Sequence, residues 1–116
     1  MFTQLRPVLF VDDLSAEVIF YQKLGFQILF QMPDFVGLVY GEQILFGLQH
    51  RPGAKFDVEQ ALTWQIATND IDAVFQCCQQ KNFNILQEPE LQSWGDWTMT
   101  VLSPNGYRVV FEGTKK

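Results

Sequence analysis

The chain has 116 residues, of which 47% are hydrophobic and 15% aromatic, so it has the size and apolar content of one globular domain. A net charge of −5 with only eight scattered basic residues argues against nucleic-acid binding, which needs clustered Lys and Arg side chains. No segment reaches the roughly 18 apolar residues of a membrane helix, and the first residues lack the pattern of a signal peptide. We therefore expect a cytoplasmic protein that binds neither nucleic acid nor membrane.

The first half of the sequence predicts one helix and four strands in the order βαβββ. Asp12 and Asp13 offer capping side chains to an amphipathic helix over 15–24, and Gly25 suits the left-handed residue that ends it. Apolar, β-favouring runs separated by turn residues predict strands over 6–11, 26–31, 35–40 and 43–49.

The second half predicts the same order of elements. Asn69 and Asp70 precede a helix over 71–80, and Asn82 takes the place of the helix-ending glycine. The predicted strands cover 63–68, 84–87, 97–102 and 107–112. Cys77 and Cys78 are adjacent in the helix, a spacing that suits neither a disulfide framework nor a metal site.

Landmarks of the two halves are separated by 57 residues, which indicates an internal duplication. The matched pairs are Asp13 and Asp70, Gly25 and Asn82, Phe26 and Phe83, and Ile28 and Ile85. We predict a single α+β domain over 1–116, with module one over about 1–50, a linker over about 51–61 and module two over about 62–116. Two tandem βαβββ modules of this kind are expected to curl their sheets around a cleft.

Five short motifs carry a resemblance to a known family. They are Asp12-Asp13-Leu14, Phe20-Tyr21, Leu24-Gly25-Phe26, Trp94-Gly95 and Pro104-Asn105-Gly106. In their order and spacing, and with the internal repeat, they resemble the glyoxalase/bleomycin-resistance/extradiol-dioxygenase family, also called the vicinal oxygen chelate family. The resemblance implies paired βαβββ modules, a homodimer with clefts at or near its interface, and, in the enzymes, one divalent metal held by His or Glu side chains.

The positions that hold the metal in the family carry unsuitable residues here. The resemblance places the first-strand positions at Arg6 and Thr63 and the last-strand positions at Val110 and at Leu45 or Phe46. A guanidinium is always protonated and cannot coordinate a metal, and the aliphatic and aromatic side chains have no donor atom. The chain's single histidine, His50, is predicted at a strand end and is expected to be a surface imidazole. We therefore expect no metal and no other cofactor.

Without a metal, the predicted cleft combines polar and apolar side chains. If Arg6 and Val110 face inward, strand alternation turns Gln65, Arg108 and Glu112 inward as well, together with Thr63. We expect Phe46 and Leu48 to supply an apolar wall. Trp94 and Trp97 flank Gly95 at the entrance of a strand, and in the drug-binding branch that this segment resembles such aromatic side chains stack on the bound compound.

Two functions follow from this cleft. The favoured one is a metal-independent binding module that sequesters an aromatic or cationic compound, such as an antibiotic, in a homodimer. The alternative is a glyoxalase-like lyase or dioxygenase-type enzyme, with Glu112 as a base or with a divalent metal bound in a way that the sequence does not reveal. A third class, a non-catalytic regulatory or interaction domain, is left open by the sequence.

Overall fold

The structure is a computed structural model that describes residues 1–42, 44–54, 62 and 64–116. The chain divides into two compact units, Met1–Phe56 and Asp57–Lys116. In the part of each unit that the structure describes, one helix packs on a mixed four-stranded sheet, and the predicted α+β class is confirmed. Among the helices of the described residues, none has the length and apolar character needed to cross a membrane.

The first unit has the predicted order of elements. They are β1 (Val8–Val11), α1 (Leu14–Lys23), β2 (Gln27–Met32), β3 (Phe35–Tyr40) and β4 (Ile44–His50). The strands lie in the order β1-β4-β3-β2, with β1 parallel to β4 and the other pairs antiparallel. The first strand begins at Val8, two residues later than predicted, so Arg6 precedes the sheet.

The second unit repeats this topology. Its elements are β5 (Trp64–Thr68), α2 (Ile71–Gln80), β6 (Asn84–Leu91), β7 (Trp97–Leu102) and β8 (Arg108–Gly113). The strands lie in the order β5-β8-β7-β6. Strand β6 continues beyond the predicted end at Gln87 and includes Pro89. Proline is tolerated there because β6 is an edge strand and part of its backbone has no neighbour to bond.

The helix caps explain why the two units share one backbone plan. Asp13 and Asp70 each accept a hydrogen bond from the backbone N–H three residues later, at 3.0 and 3.1 Å. Gly25 and Asn82 follow the helices with φ values of 102° and 59°. Around each of them, two backbone hydrogen bonds close a Schellman motif: one from the left-handed residue itself and one from the phenylalanine after it. Helix α2 has its predicted bounds, and α1 begins and ends one residue earlier than the predicted 15–24.

The core of each unit lies between the helix and one face of the sheet. In the first unit this face contributes side chains that are at most 4% exposed: Leu9, Val11, Val36, Leu38, Phe46 and Leu48. In the second unit the corresponding buried side chains are Met99, Val101, Val109 and Phe111, which pack with Ile71 and Cys78 of α2. Because strand side chains alternate, the residues between these core positions point away from the unit's own helix, and we call that side of each sheet the distal face.

Candidate functional site

The distal face of the first sheet is almost entirely apolar. Cross-strand partners place Val8, Gly47, Gly37 and Phe30 in one row across the four strands. The next row consists of Phe10, Gln49, Phe35 and Met32. A sheet face without a helix normally carries polar side chains, so an apolar face with three aromatic rings indicates an interaction site.

A β-bulge brings Phe30 to this face. Ile28 pairs with Leu38 and Phe30 pairs with Gly37, so Leu29 is the extra residue in β2. Ile28 pairs with a core residue, and strict alternation from Ile28 would turn Phe30 towards the helix. The bulge reverses that orientation. Sequence reasoning missed Phe30 for this reason, because a bulge has no reliable signature in a single strand.

Phe30 and Phe35 form what we call the aromatic platform. Their ring centroids lie 5.7 Å apart and their planes differ by 8°, which is a parallel stacked arrangement. Each ring occupies the space above a glycine: a Cβ atom at Gly37 would lie 2.5 Å from Phe30 Cε1, and one at Gly47 would lie even closer to Phe35 Cζ. Phe30 is nevertheless 40% exposed. The platform therefore rests on the backbone of the sheet and presents ring surface outward.

A cation lies elsewhere on the same face. The Arg51 guanidinium carbon is 3.6 Å from the centroid of the Phe10 ring, a cation–π contact. The Arg51 backbone N–H donates to Val11 O at 2.9 Å, which fixes this residue at the end of β1. Phe10 is two strands away from Phe35 in the same row. The face thus has a positively charged margin beside β1 and exposed rings near β2.

The distal face of the second sheet is polar. The Gln65 side-chain amide donates to Glu112 Oε2, and these two residues lie on the paired strands β5 and β8. On β7, Thr98 accepts a 2.9 Å hydrogen bond from Gln92 Nε2. Thr98 is also the direct cross-strand partner of Glu112, so the hydroxyl and the carboxylate are neighbours on one face.

A second bulge shapes this polar face. Ile85 pairs with Val101 and Gln87 pairs with Thr100, so Leu86 is the extra residue, 57 positions after Leu29. The bulge turns Gln87 to the distal face, where its Oε1 atom lies 3.5 Å from Thr100 Oγ1 and its Nε2 atom donates to Glu90 at 2.9 Å. The duplicated backbone therefore presents an aromatic ring in one unit and an amide in the other.

Several of the predicted site residues share this polar face. Gln65, Val110 and Glu112 lie together on β5 and β8, and strand alternation puts Arg108 on the same side. Arg6 lies before β1, is exposed, and donates through Nε to Gln4 Oε1 at 2.7 Å. Thr63 is outside the described residues.

The expected apolar wall of Phe46 and Leu48 is corrected by the structure. Both side chains are in the core of the first unit, where the Phe46 ring packs edge-on against Tyr21 at 4.9 Å. Of the two alternatives for the last-strand position, Phe46 therefore faces the helix, and Leu45, the cross-strand partner of Val39, faces the distal side. The predicted orientation of β4 differs by one residue from the one that its pairing with β3 gives.

The two predicted tryptophans have different environments. Trp97 alternates with Thr98 and lies on the helix side of β7, where Lys115 Nζ is 4.1 Å from its ring centroid and 3.7 Å from Asp72 Oδ1. Trp97 therefore lies on the side of its sheet opposite the distal face, in contact with Lys115. Trp94 lies in the loop between β6 and β7 and is 61% exposed.

The donor set does not fit the divalent metal that the family resemblance implies. The distal positions of β1 and β4 carry Val8, Phe10, Leu45, Gly47 and Gln49, of which Gln49 alone has a donor atom, a neutral amide oxygen. Glu112 is the acid on the distal side of β8, so these strands do not supply the set of His and Glu ligands that the metal needs. Within the described residues, no group of three or more His, Cys, Asp or Glu side chains is placed to hold a metal ion. His50 is 3.9 Å from Asp34 Oδ1 at the end of β4.

Comparisons with known proteins agree with this architecture. A family model described as the Glyoxalase/Bleomycin resistance protein/Dioxygenase superfamily matches residues 3–111. A solved bleomycin-binding protein in complex with bleomycin has a TM-score of 0.79 at 21% identity, covering 98% of this chain and 100% of the other. A bleomycin resistance determinant encoded on the transposon Tn5 has a TM-score of 0.76 at 22% identity, covering 99% and 100%.

An enzyme of the same fold is similar to a comparable degree. A lactoylglutathione lyase from Agrobacterium tumefaciens has a TM-score of 0.76 at 16% identity, covering 96% of this chain and 92% of its own. No curated protein sequence matches the chain significantly. At these identities the structural neighbours show the fold, and binding proteins and enzymes share it.

Proposed function

We propose that this chain, which belongs to the glyoxalase/bleomycin resistance protein/dioxygenase superfamily, is a metal-independent binding protein that sequesters a planar aromatic compound without transforming it. The observation that carries the proposal is the aromatic platform: two stacked rings on an apolar sheet face, with Phe30 40% exposed. A flat ring system laid on such a surface buries apolar area and gains the stacking energy of an aromatic pair, about 0.5–1.5 kcal/mol beyond the area term.

The net charge of the chain favours a cationic ligand, which would lie on the platform at a distance of two strands from the Arg51 guanidinium over Phe10. The net charge is −5, and a negative overall field raises the local concentration of cations. Because one structural neighbour is a bleomycin-binding protein solved with bleomycin, we take that drug as the first compound to test. We use bleomycin in this test as an example of a large aromatic cation.

We further propose that the protein acts as a homodimer in the cytoplasm. Strand β2 is one of the two edge strands of its sheet, and its apolar side chains Leu29 and Met32 are 55% and 58% exposed. Apolar side chains on an open edge are a liability unless a partner covers them. Light scattering coupled to size-exclusion chromatography tests the dimer, and a monomer at micromolar concentration contradicts it.

Ligand titration tests the binding function. Intrinsic tryptophan emission is followed while bleomycin, planar acridine cations and neutral aromatic compounds are added, and isothermal titration calorimetry confirms each affinity. Phe30→Leu and Phe35→Leu are each expected to weaken binding by about fivefold, equivalent to about 1 kcal/mol of lost stacking. Ile19→Ala is the matched control, since Ile19 is an exposed apolar residue on α1, away from the sheet. Binding of none of these compounds, or equal binding by all variants, refutes the proposal.

A second candidate function is a glyoxalase-like lyase or dioxygenase-type reaction with Glu112 as the base, with or without a divalent metal. The observation that favours it is the hydrogen bond from Gln65 to Glu112, which orients a carboxylate on the polar face. A base of this kind predicts turnover that Glu112→Gln abolishes while ligand affinity is retained. A stoichiometric divalent ion that survives dialysis would favour the enzyme over the binding protein.

A further inference from the structure

We propose that Gly37 and Gly47 are specificity-determining residues of the ligand site. Together they form what we call the glycine seat, the bare backbone on which the aromatic platform rests. The seat sets the height and tilt of the two rings, and the platform therefore selects flat ring systems. The inference rests on the proposed binding function, which it deepens. The two glycines are direct cross-strand partners on β3 and β4, so they leave one continuous strip of bare backbone on the distal face. Phe30 and Phe35 lie over this strip.

The backbone conformation does not require glycine at either position. The glycines with positive φ are Gly25, Gly41, Gly53, Gly95 and Gly106, and neither Gly37 nor Gly47 is among them. Both lie inside strands, where glycine costs about 0.5–1 kcal/mol relative to alanine and adds no packing. Their value must therefore come from the space that a missing Cβ atom leaves.

The second unit shows that the same backbone accepts larger residues. Gly37 pairs with the bulge-displaced Phe30, as Thr100 pairs with the bulge-displaced Gln87. Gly47 pairs with the first strand in the way that Val110 pairs with Gln65. These equivalent positions carry β-branched side chains in an otherwise identical topology. Glycine in the first unit is thus a feature of the aromatic face and is not demanded by the fold.

A methyl group at Gly37 or Gly47 would clash with the rings of Phe30 and Phe35. A Cβ atom at Gly37 would lie within 3.0 Å of three ring atoms of Phe30, and one at Gly47 would meet the tip of the Phe35 ring. No backbone atom is among these close neighbours, so the chain can keep its fold while the rings rise or tilt. The expected consequence is a change in ligand preference at nearly unchanged backbone structure.

A purely structural role makes a different prediction. Aromatic rings that cover glycines stabilise strands, and in that case the glycine variants change stability and leave ligand preference alone. The two roles separate when two ligands of similar size are compared: a planar acridine cation and a non-planar diphenylmethylamine cation. General damage to the fold weakens both ligands together, whereas a displaced platform weakens the planar one selectively.

The experiment is a double-mutant cycle between Gly47→Ala and Phe35→Leu, with Gly37→Ala measured alongside. Dissociation constants for both cations are determined by calorimetry, and the free energy of unfolding is determined in urea. We expect Gly47→Ala and Gly37→Ala each to weaken the planar cation by five- to tenfold and the non-planar cation by less than twofold. In the Phe35→Leu background, Gly47→Ala is expected to change planar affinity by less than twofold, because the shorter side chain no longer reaches the added methyl group.

The outcomes separate the two proposals. If the wild-type chain binds neither cation nor any other aromatic compound, the binding function fails. If the wild-type chain binds the planar cation and both glycine variants keep its preference, the function stands and the glycine seat is refuted. If Gly47→Ala does not fold, the cycle is completed with Gly37→Ala and Phe30→Leu, in which the same selective loss and the same coupling are required.

Discussion

Adjacent residues of β4 should differ sharply in their contribution to stability, because they face opposite sides of the sheet. Phe46 is 2% exposed and packs its ring against Tyr21 at 4.9 Å and Phe26 at 5.6 Å. Truncating a buried phenylalanine costs about 3–5 kcal/mol through lost transfer energy and the remaining cavity. Leu45 is half-buried on the distal face, so Leu45→Ala is expected to cost about 1 kcal/mol.

Urea unfolding and thermal unfolding, both followed by circular dichroism, measure the free energy of unfolding and the melting temperature of each variant. For a chain of this length, Phe46→Ala should lower the melting temperature by roughly 15 °C, and Leu45→Ala by about 4 °C. Unchanged m-values would show that the free energy of unfolding, and not the unfolded state, has changed. If Leu45→Ala costs as much as Phe46→Ala, Leu45 is packed in the core and the argument that it lies on the distal face of β4 is refuted.

Three further predictions concern the caps, the C-terminus and a buried thiol. Asp13→Ala and Asp70→Ala should each lower the free energy of unfolding, measured in urea, by about 1 kcal/mol. If either variant has the same free energy of unfolding as the wild type, its capping bond does not stabilise the helix. Lys115→Met should shift tryptophan emission at a cost below about 1 kcal/mol, an effect that a Trp97→Phe background must remove. Burial, with a smaller effect of the adjacent thiol, raises the pKa of Cys78 from 9.0 to about 12. Because the unfolded chain releases that proton first, stability should fall between pH 9 and 12 more steeply than in Cys78→Ala, and identical slopes would refute the burial argument.

The fold was predictable from the sequence because its signals are local and occur twice. Asp13 and Asp70 begin helices and Gly25 and Asn82 end them, each through bonds to residues within one turn. It was less predictable which side chains of each strand face the helix and which face the distal side. The orientation of Phe46 depends on how β4 pairs with β3, and a shift of one residue exchanges the two faces of the strand.

The aromatic platform was missed for a different physical reason. Its rings are brought together by the pairing of β2 with β3, which joins Phe30 to Gly37 across a bulge. Gly37 and Gly47 are ten residues apart in the sequence and become neighbours only through the pairing of β3 with β4. A glycine in a predicted strand signals close approach of another group, but only the pairing identifies that group.

The two units have the same backbone plan, but their distal faces carry different side chains. The β-bulge in the second strand of each unit makes this possible. Ile28 and Ile85 both pair with core residues, and one extra leucine after each of them turns the following side chain to the distal face. The bulge fixes the position of the residue that follows it on the distal face. Because this residue does not pack in the core, the core does not restrict which amino acid it is. Phe30 can therefore supply a ring where Gln87 supplies an amide, without repacking against either helix. A duplicated unit of this kind can change its ligand by substitution at the residue after the bulge, provided that the opposite strand positions make room, as Gly37 does for Phe30.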